Sequence, residues 1–299
     1  MSRSPMLLLD LMARRPVLFD GALGTELMKR GLPQGRCPEL WNVENPAAVR
    51  DIHRSYFDAG SDAVVTNTFG GNRLKLEACG QGARCAELNA AAAALALSVR
   101  PEGKFVGGDI GPTGKFLKPQ GEYTEAAFEA AFALQARTLA AAGVDFILIE
   151  TMFDLREALC AVRAARSEAT VPVFATVTFN RTRRGFFTLM GDSVAKCVAA
   201  FEALDVPAFG ANCSLTSADL ADAVREMRSL TSRPLIAQPN AGRPELTRAA
   251  EVVYSQSIEE FAADVPKMLA AGADVIGGCC GTDPEFIRRA AAILRAARP

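Results

Sequence analysis

Histidine is almost missing from this sequence: among 299 residues there is one, His53. That single absence excludes every site that needs several imidazoles, including His-rich zinc sites, an HExxH protease helix and a two-His-one-carboxylate iron site. Net charge is also scarce. Thirty-three Lys and Arg against 34 Asp and Glu leave a formal charge of −1, with no electrostatic case for nucleic acid or a membrane surface as partner. Long apolar runs are lacking too. The opening MSRSPMLLLDLMARRPVLF has only a short one, interrupted by Asp10, Arg14 and Arg15. It reads as a short N-terminal helix, not as a signal h-region or a spanning helix, and the expected compartment is cytoplasmic. In that compartment the Asn180-Arg181-Thr182 and Asn212-Cys213-Ser214 triplets carry no glycan. Neither GxGxxG nor GxxxxGK[ST] occurs.

What is present is a core-forming composition, 49% hydrophobic and 22% charged, in a chain long enough for one large domain. A phrase recurs at Ala59-Gly60-Ser61-Asp62, Ala142-Gly143-Val144-Asp145 and Ala271-Gly272-Ala273-Asp274. Each time a helical stretch stops at a glycine suited to the left-handed C′ position, and an apolar run follows. Runs of this kind read as doubly covered parallel strands. They fall at 17–23, 62–69, 105–111, 145–151, 171–179, 208–214, 235–242 and 274–282, with alanine-rich amphipathic helices between them. The last helix opens Asp283-Pro284-Glu285, a cap, a first-turn proline and an acid, and is expected to run almost to the C-terminus. Eight strand–helix units in one domain spanning 1–299 predict a (β/α)8 TIM barrel, an α/β fold, with a short N-terminal helix. A doubly wound sheet is the alternative, weakened by its missing glycine fingerprint. The strand-to-helix links 24–45, 112–123, 180–192 and 243–256 are the long ones, and in a barrel they crown the C-terminal face, where the chemistry sits.

Eight cysteines stand against the one histidine. Cys213 closes the sixth strand; Cys279 and Cys280 close the eighth. Cys37, Cys79, Cys85, Cys160 and Cys197 lie in loops or helices. Three thiolates on one face suit zinc with an open fourth position, provided that Gly277, Gly278 and Gly281 let the strand distort so that adjacent cysteines converge. The alternatives are inert buried thiols or a vicinal disulfide. An all-sulfur zinc would suit ionising a further thiol, and methyl transfer to that thiol needs no imidazole base. His53, mid-helix, reads as structural or solvated. Asp20, Asp109 and Glu150 are acids at strand ends, where a buried carboxylate calls for a partner such as a substrate ammonium. Gly21, Gly24 and Thr25 lie where backbone amides would hold a carboxylate. No lysine stands at a strand end, which argues against a Schiff-base aldolase; Lys115 and Lys118 read as loop charge.

DGALGTEL, NTFGGNRLKL, GDIGPTG, IETMFDLREA, GANCS, PNAG and GGCCGT, in that order over about 17–290, resemble the zinc-dependent homocysteine S-methyltransferase family. Within it they are most similar to the homocysteine-binding N-terminal module of cobalamin-dependent methionine synthase. The resemblance implies zinc held by Cys213, Cys279 and Cys280, with Asn240 of PNAG as a labile fourth ligand. It implies the homocysteine amino group on Glu150, and the substrate against Asp20 and Gly21. It further implies methylation of homocysteine to methionine, the methyl group coming from methylcobalamin or a methylfolate-linked partner on a separate corrinoid- or folate-binding module or protein. Such modules do not follow here, so the chain reads either as an excised module or as a stand-alone protein. S-methylmethionine or betaine as donor, or a non-catalytic zinc- and thiol-binding subunit, are the alternatives.

Overall fold

The computed structural model describes residues 8–246 and 252–296. Eight parallel strands form one sheet: β1 (Val17–Leu18), β2 (Ala63–Val65), β3 (Phe105–Ile110), β4 (Phe146–Met152), β5 (Val173–Val177), β6 (Phe209–Asn212), β7 (Leu235–Gln238) and β8 (Val275–Ile276). The hydrogen-bonded order is β1-β8-β7-β6-β5-β4-β3-β2, so the sheet curls into a (β/α)8 barrel whose ladder is open only at the β1–β2 seam. Eight helices, from Pro46–Ala59 to Pro284–Ala296, follow the strands in turn and form the outer layer. Asp283 Oδ1 accepts the Glu285 amide at 3.0 Å and caps the last helix as expected; the predicted end of that helix beyond 296 lies outside the described residues.

The alternation of each strand sorts its side chains. On β4, Ile147 and Ile149 face the helices, while Phe146 and Leu148 face the barrel interior. The interior is an aromatic stack: Phe146 sits 5.4 Å from Phe19 and 5.3 Å from Phe174, centroid to centroid. Gly107 makes room for it, since a Cβ there would stand 2.4 Å from the Phe146 ring. The short helix Leu8–Met12 places Leu8, Leu11 and Met12 on the same cluster and closes the N-terminal end. Carried one step further, the alternation puts Asp109, Glu150, Thr176, Asn212 and Gln238 on the interior side at the C-terminal mouth.

The recurrent phrase has a structural meaning. Gly60, Gly143 and Gly272 take φ of +113°, +91° and +101°, ending their helices. The aspartate two residues later then accepts a backbone amide of a neighbouring strand. Asp62 takes that of Leu18 at 3.1 Å, Asp145 that of Val106 at 2.7 Å, and Asp274 that of Leu235 at 2.8 Å. The first of these bridges the open seam. Each carboxylate also meets an arginine: Arg15 at 2.7 Å, Arg100 at 2.7 Å and Arg228 at 3.7 Å.

The strands are shorter than the apolar runs predicted, because their C-terminal ends leave the ladder to build the mouth. After β1, Asp20 turns its carboxylate to the Val65 amide across the seam, at 2.9 Å. After β8 the chain enters a turn in which the Thr282 amide donates to Cys279 O at 3.1 Å. Two long loops carry antiparallel hairpins, Asn180–Thr182 with Gly185–Phe187 and Pro244–Leu246 with Val252–Tyr254. The middle of the expected 243–256 loop lies outside the described residues.

Candidate metal and substrate site

Cys279 and Cys280 sit on the turn after β8, not on the strand. The Gly278 amide donates to Asp20 O at 2.9 Å and the Cys279 amide to Pro239 O at 2.7 Å, so the turn is pinned to both neighbouring strand ends. Gly281 holds φ +83°, and a Cβ there would stand 2.3 Å from the Tyr254 ring. Its amide donates to Thr25 Oγ1 at 3.1 Å. Cys213, at φ +60°, donates its amide to Gln238 O at 3.1 Å. The result is that the Cys213, Cys279 and Cys280 sulfurs all lie within 4.8 Å of one another, with Cys213 and Cys280 3.9 Å apart. Two tetrahedral zinc ligands at about 2.3 Å stand roughly 3.8 Å apart, so the spacing fits such an ion. Among the described residues this is the one cluster with a metal-ligand arrangement.

The charges of the three sulfurs point the same way. Hydrogen bonds from the Cys213 and Cys279 thiols and from Tyr254 hold the Cys280 thiol down at about 3. The partner thiols and burial push Cys279 far up. Cys213 has a hydrogen bond with Cys279 that favours its thiolate, but Cys280 and burial outweigh it and raise it to about 12. Three thiolates at this spacing would repel one another, and a bound cation would offset that repulsion. The remaining cysteines lie outside this cluster: Cys37, Cys85, Cys160 and Cys197 are buried and Cys79 is exposed. His53 is fully buried, its ring nitrogens without hydrogen-bond partners, and burial lowers it to about 4. It stands apart from the site, on the helix Pro46–Ala59.

Across the mouth lie the acids. Asp109 hydrogen-bonds Glu150, and Asp20 is close enough to raise Asp109 further. Burial pushes Asp20 and Asp109 well above the carboxylate range; the neighbouring acids add to this, and for Asp20 the Val65 amide opposes it. Glu150, half-buried, is raised to about 7 by burial, against the Asp109 hydrogen bond. One oxygen each of Asp20 and Asp109 is buried with no hydrogen-bond partner, and no lysine or arginine of the described residues pairs with any of the three. Gly24 and Thr25 lie in the first turn of the helix Leu23–Lys29, whose N-terminus has no side-chain cap. Gly21 packs so tightly that a Cβ would stand 2.8 Å from Thr282 Oγ1. The Ala22 amide is committed to Thr282 O at 3.2 Å.

The family model of homocysteine S-methyltransferases matches residues 17–294. The chain belongs to the homocysteine S-methyltransferase family. It is 35% identical to a methionine synthase of Mycobacterium tuberculosis over 98% of its own length and 26% of that protein's. It is 33% identical to a methionine synthase of Mycobacterium leprae over 96% of its length and 25% of the relative's. The chain thus spans about a quarter of these relatives. Among solved structures, the metallated form of the homocysteine methyltransferase MmuM from Escherichia coli superposes with a TM-score of 0.76 at 25% identity, covering 95% of this chain and 98% of that one.

Within this family's barrel, the PNAG segment is brought to the cysteines by backbone bonds. The Asn240 amide donates to Leu215 O at 3.2 Å and that of Ala241 to Cys280 O at 2.9 Å, while Asn240 Oδ1 is buried without a hydrogen-bond partner. Lys115 and Lys118 lie on the third strand-to-helix loop, away from the strand ends. Sequence reasoning missed Tyr254, Thr282, Thr151 and Asn212. The period-2 alternation from Ala208 through Gly210 would have found Asn212; no local signal marks the other three.

Proposed function

We propose that the chain binds zinc through Cys213, Cys279 and Cys280 and methylates homocysteine to methionine at that site. The observation that carries this reading is the convergence of three sulfurs opposite three acids that no lysine or arginine of the described residues pairs with, within one barrel mouth. Bound zinc would supply the Lewis acidity that keeps the substrate thiol ionised at neutral pH. The rest follows from the chain's own groups. Glu150, with Asp20 and Asp109 beside it, holds the substrate ammonium, which supplies the positive charge the acids lack. The uncapped amides of Gly24 and Thr25, next to Gly21, hold the substrate carboxylate. Asn240, with its unpartnered oxygen, serves as a displaceable fourth ligand. The fixed sulfur then attacks an incoming methyl group in line: the S–CH3 bond forms as the bond from methyl to donor breaks, and the proton has already left with thiol ionisation.

The resemblance of GDIGPTG and PNAG to the corrinoid-dependent branch of the family favours a methylcorrinoid or a methylfolate-linked partner as donor. The test is to incubate zinc-loaded chain with homocysteine and, in separate reactions, methylcobalamin, S-methylmethionine and betaine, reading methionine formed. Turnover with methylcobalamin is expected. Turnover with S-methylmethionine or betaine alone would reassign the donor. Absence of methionine from every donor, with zinc and homocysteine both bound, would make the chain a binding subunit.

A further inference from the structure

Asn212 is fully buried at the end of β6 and carries more hydrogen bonds than a strand residue needs. Its Oδ1 accepts the Thr151 amide at 2.9 Å and the Thr176 hydroxyl at 2.8 Å. Its Nδ2 donates to Thr151 Oγ1 at 2.6 Å and to Cys279 Sγ at 3.8 Å. Only one orientation of the amide allows this. A backbone N–H can only donate, so the oxygen must face Thr151 N, and the nitrogen is then aimed at the sulfur. All four valences of the side chain are used.

Two of those partners are unusual. Thr151 has φ +58°, a left-handed conformation that a β-branched residue adopts only under constraint. It lies where the β4–β5 register slips, between Ile149 and Met152, and it directly follows Glu150. A bulge of this kind re-aims the side chains that flank it. The other partner, Cys279, belongs to the thiol cluster. One amide thus grips both the strained backbone beside the acid and a sulfur of the metal set, across three strands.

We infer that Asn212 is a positioning residue that locks the amine-binding half of the site to the sulfur-binding half. By holding Thr151 in its left-handed state it fixes the direction of Glu150, and by donating to Cys279 it steadies one thiolate. This rests on the zinc and homocysteine reading above. Two separable effects follow: loss of the Thr151 clamp weakens homocysteine binding, and loss of the N–H···S bond weakens metal binding. Glycine adopts positive φ without strain, so Thr151→Gly replaces the clamp but not the N–H···S bond.

The test measures zinc affinity by chelator competition, the thiolate-to-metal absorption of the cobalt(II) form, and homocysteine binding by calorimetry. It compares wild type, Asn212→Ala, the double variant Asn212→Ala/Thr151→Gly, and Thr151→Val. Asn212→Ala is expected to weaken zinc about 10- to 100-fold, shift the cobalt band, and weaken homocysteine at least tenfold. The double variant should regain at least threefold in homocysteine affinity while zinc stays weak. Thr151→Val, which keeps the side-chain shape, should weaken homocysteine alone and holds the test open should the alanine variants not fold. Wild-type affinities in Asn212→Ala, equal loss and equal recovery of both ligands in the double variant, or unchanged homocysteine binding in Thr151→Val would overturn the inference. A wild type that takes up no zinc would overturn the functional reading and this inference together. Normal wild-type binding with unaffected variants overturns this one alone.

Discussion

The two ends of the barrel both carry buried or half-buried acids, and they treat them in opposite ways. At the N-terminal end Asp62, Asp145 and Asp274 each accept a strand amide and each meets an arginine. Burial would raise Asp62, but Arg15, the Leu18 amide and Lys104 outweigh it and hold it below the carboxylate range. At the mouth Asp20, Asp109 and Glu150 face one another with no lysine or arginine of the described residues paired to them, and all three are raised. Buried carboxylates left without a cation cost stability. The N-terminal acids are thus neutralised within the fold, whereas the mouth acids are left to partners from outside, which fits the proposed metal among the sulfurs and ammonium among the acids.

The sharpest way to break this contrast is Cys280→Ser. It is expected to remove stoichiometric zinc and all methionine formation while leaving the melting curve of the metal-free protein near that of wild type; retention of a full zinc equivalent, measured by elemental analysis, would refute the ligand set. Phe146→Ala probes the opposite end of the interior. Deleting the centre of the aromatic stack should lower unfolding free energy by about 3–5 kcal/mol in urea titrations, while the folded fraction still binds one zinc.

A matched pair comes next. Glu150→Gln should weaken homocysteine binding by about 1.5–3 kcal/mol, the worth of a hydrogen bond to a charged group, with little loss of stability. Asp145→Asn should lower stability by about 1–3 kcal/mol and leave homocysteine affinity unchanged. Calorimetry and denaturant unfolding on both variants check the crossover; the same signature from both would erase the distinction between the ends.

The smallest effect is on pH dependence. Glu150 is raised to about 7 in the folded chain, and so is Glu157, where burial outweighs the hydrogen bonds from Thr113. An acid raised on folding binds its proton more tightly in the native state. Its stabilising contribution is full below the unfolded value near 4.5 and is lost as pH rises to about 7. Ligand-free protein should therefore lose thermal stability across that window. Glu150→Gln should flatten part of the slope, and a slope unchanged by the substitution would place the titration elsewhere.

Much of this was legible in the amino-acid order. The eight apolar runs mark the strands, and the repeated alanine-glycine phrase marks helix ends, because glycine stops a helix by local backbone freedom alone. The cysteines were separable into three at strand ends and five elsewhere for the same reason: strand position is a local property. What was not legible is tertiary. The phrase's aspartate is visible as a repeat, but its grip on the neighbouring strand's amide appears only when the strands are side by side. Cys279 and Cys280 were expected on a distorted strand; they converge because β8 stops at Ile276 and Thr282, Asp20 and Pro239 pin a turn. The left-handed Thr151 is set by the Asn212 amide from two strands away, and nothing in the sequence around residue 151 announces it.

The central claim is that the mouth holds zinc on three sulfurs with one position left for the substrate's sulfur. Zinc K-edge X-ray absorption of the loaded chain, before and after homocysteine, tests it most directly. The account predicts three sulfurs and one lighter oxygen or nitrogen ligand in the free protein, becoming four sulfurs when homocysteine is added. A sulfur shell that starts below three, or that does not grow with homocysteine, would contradict it.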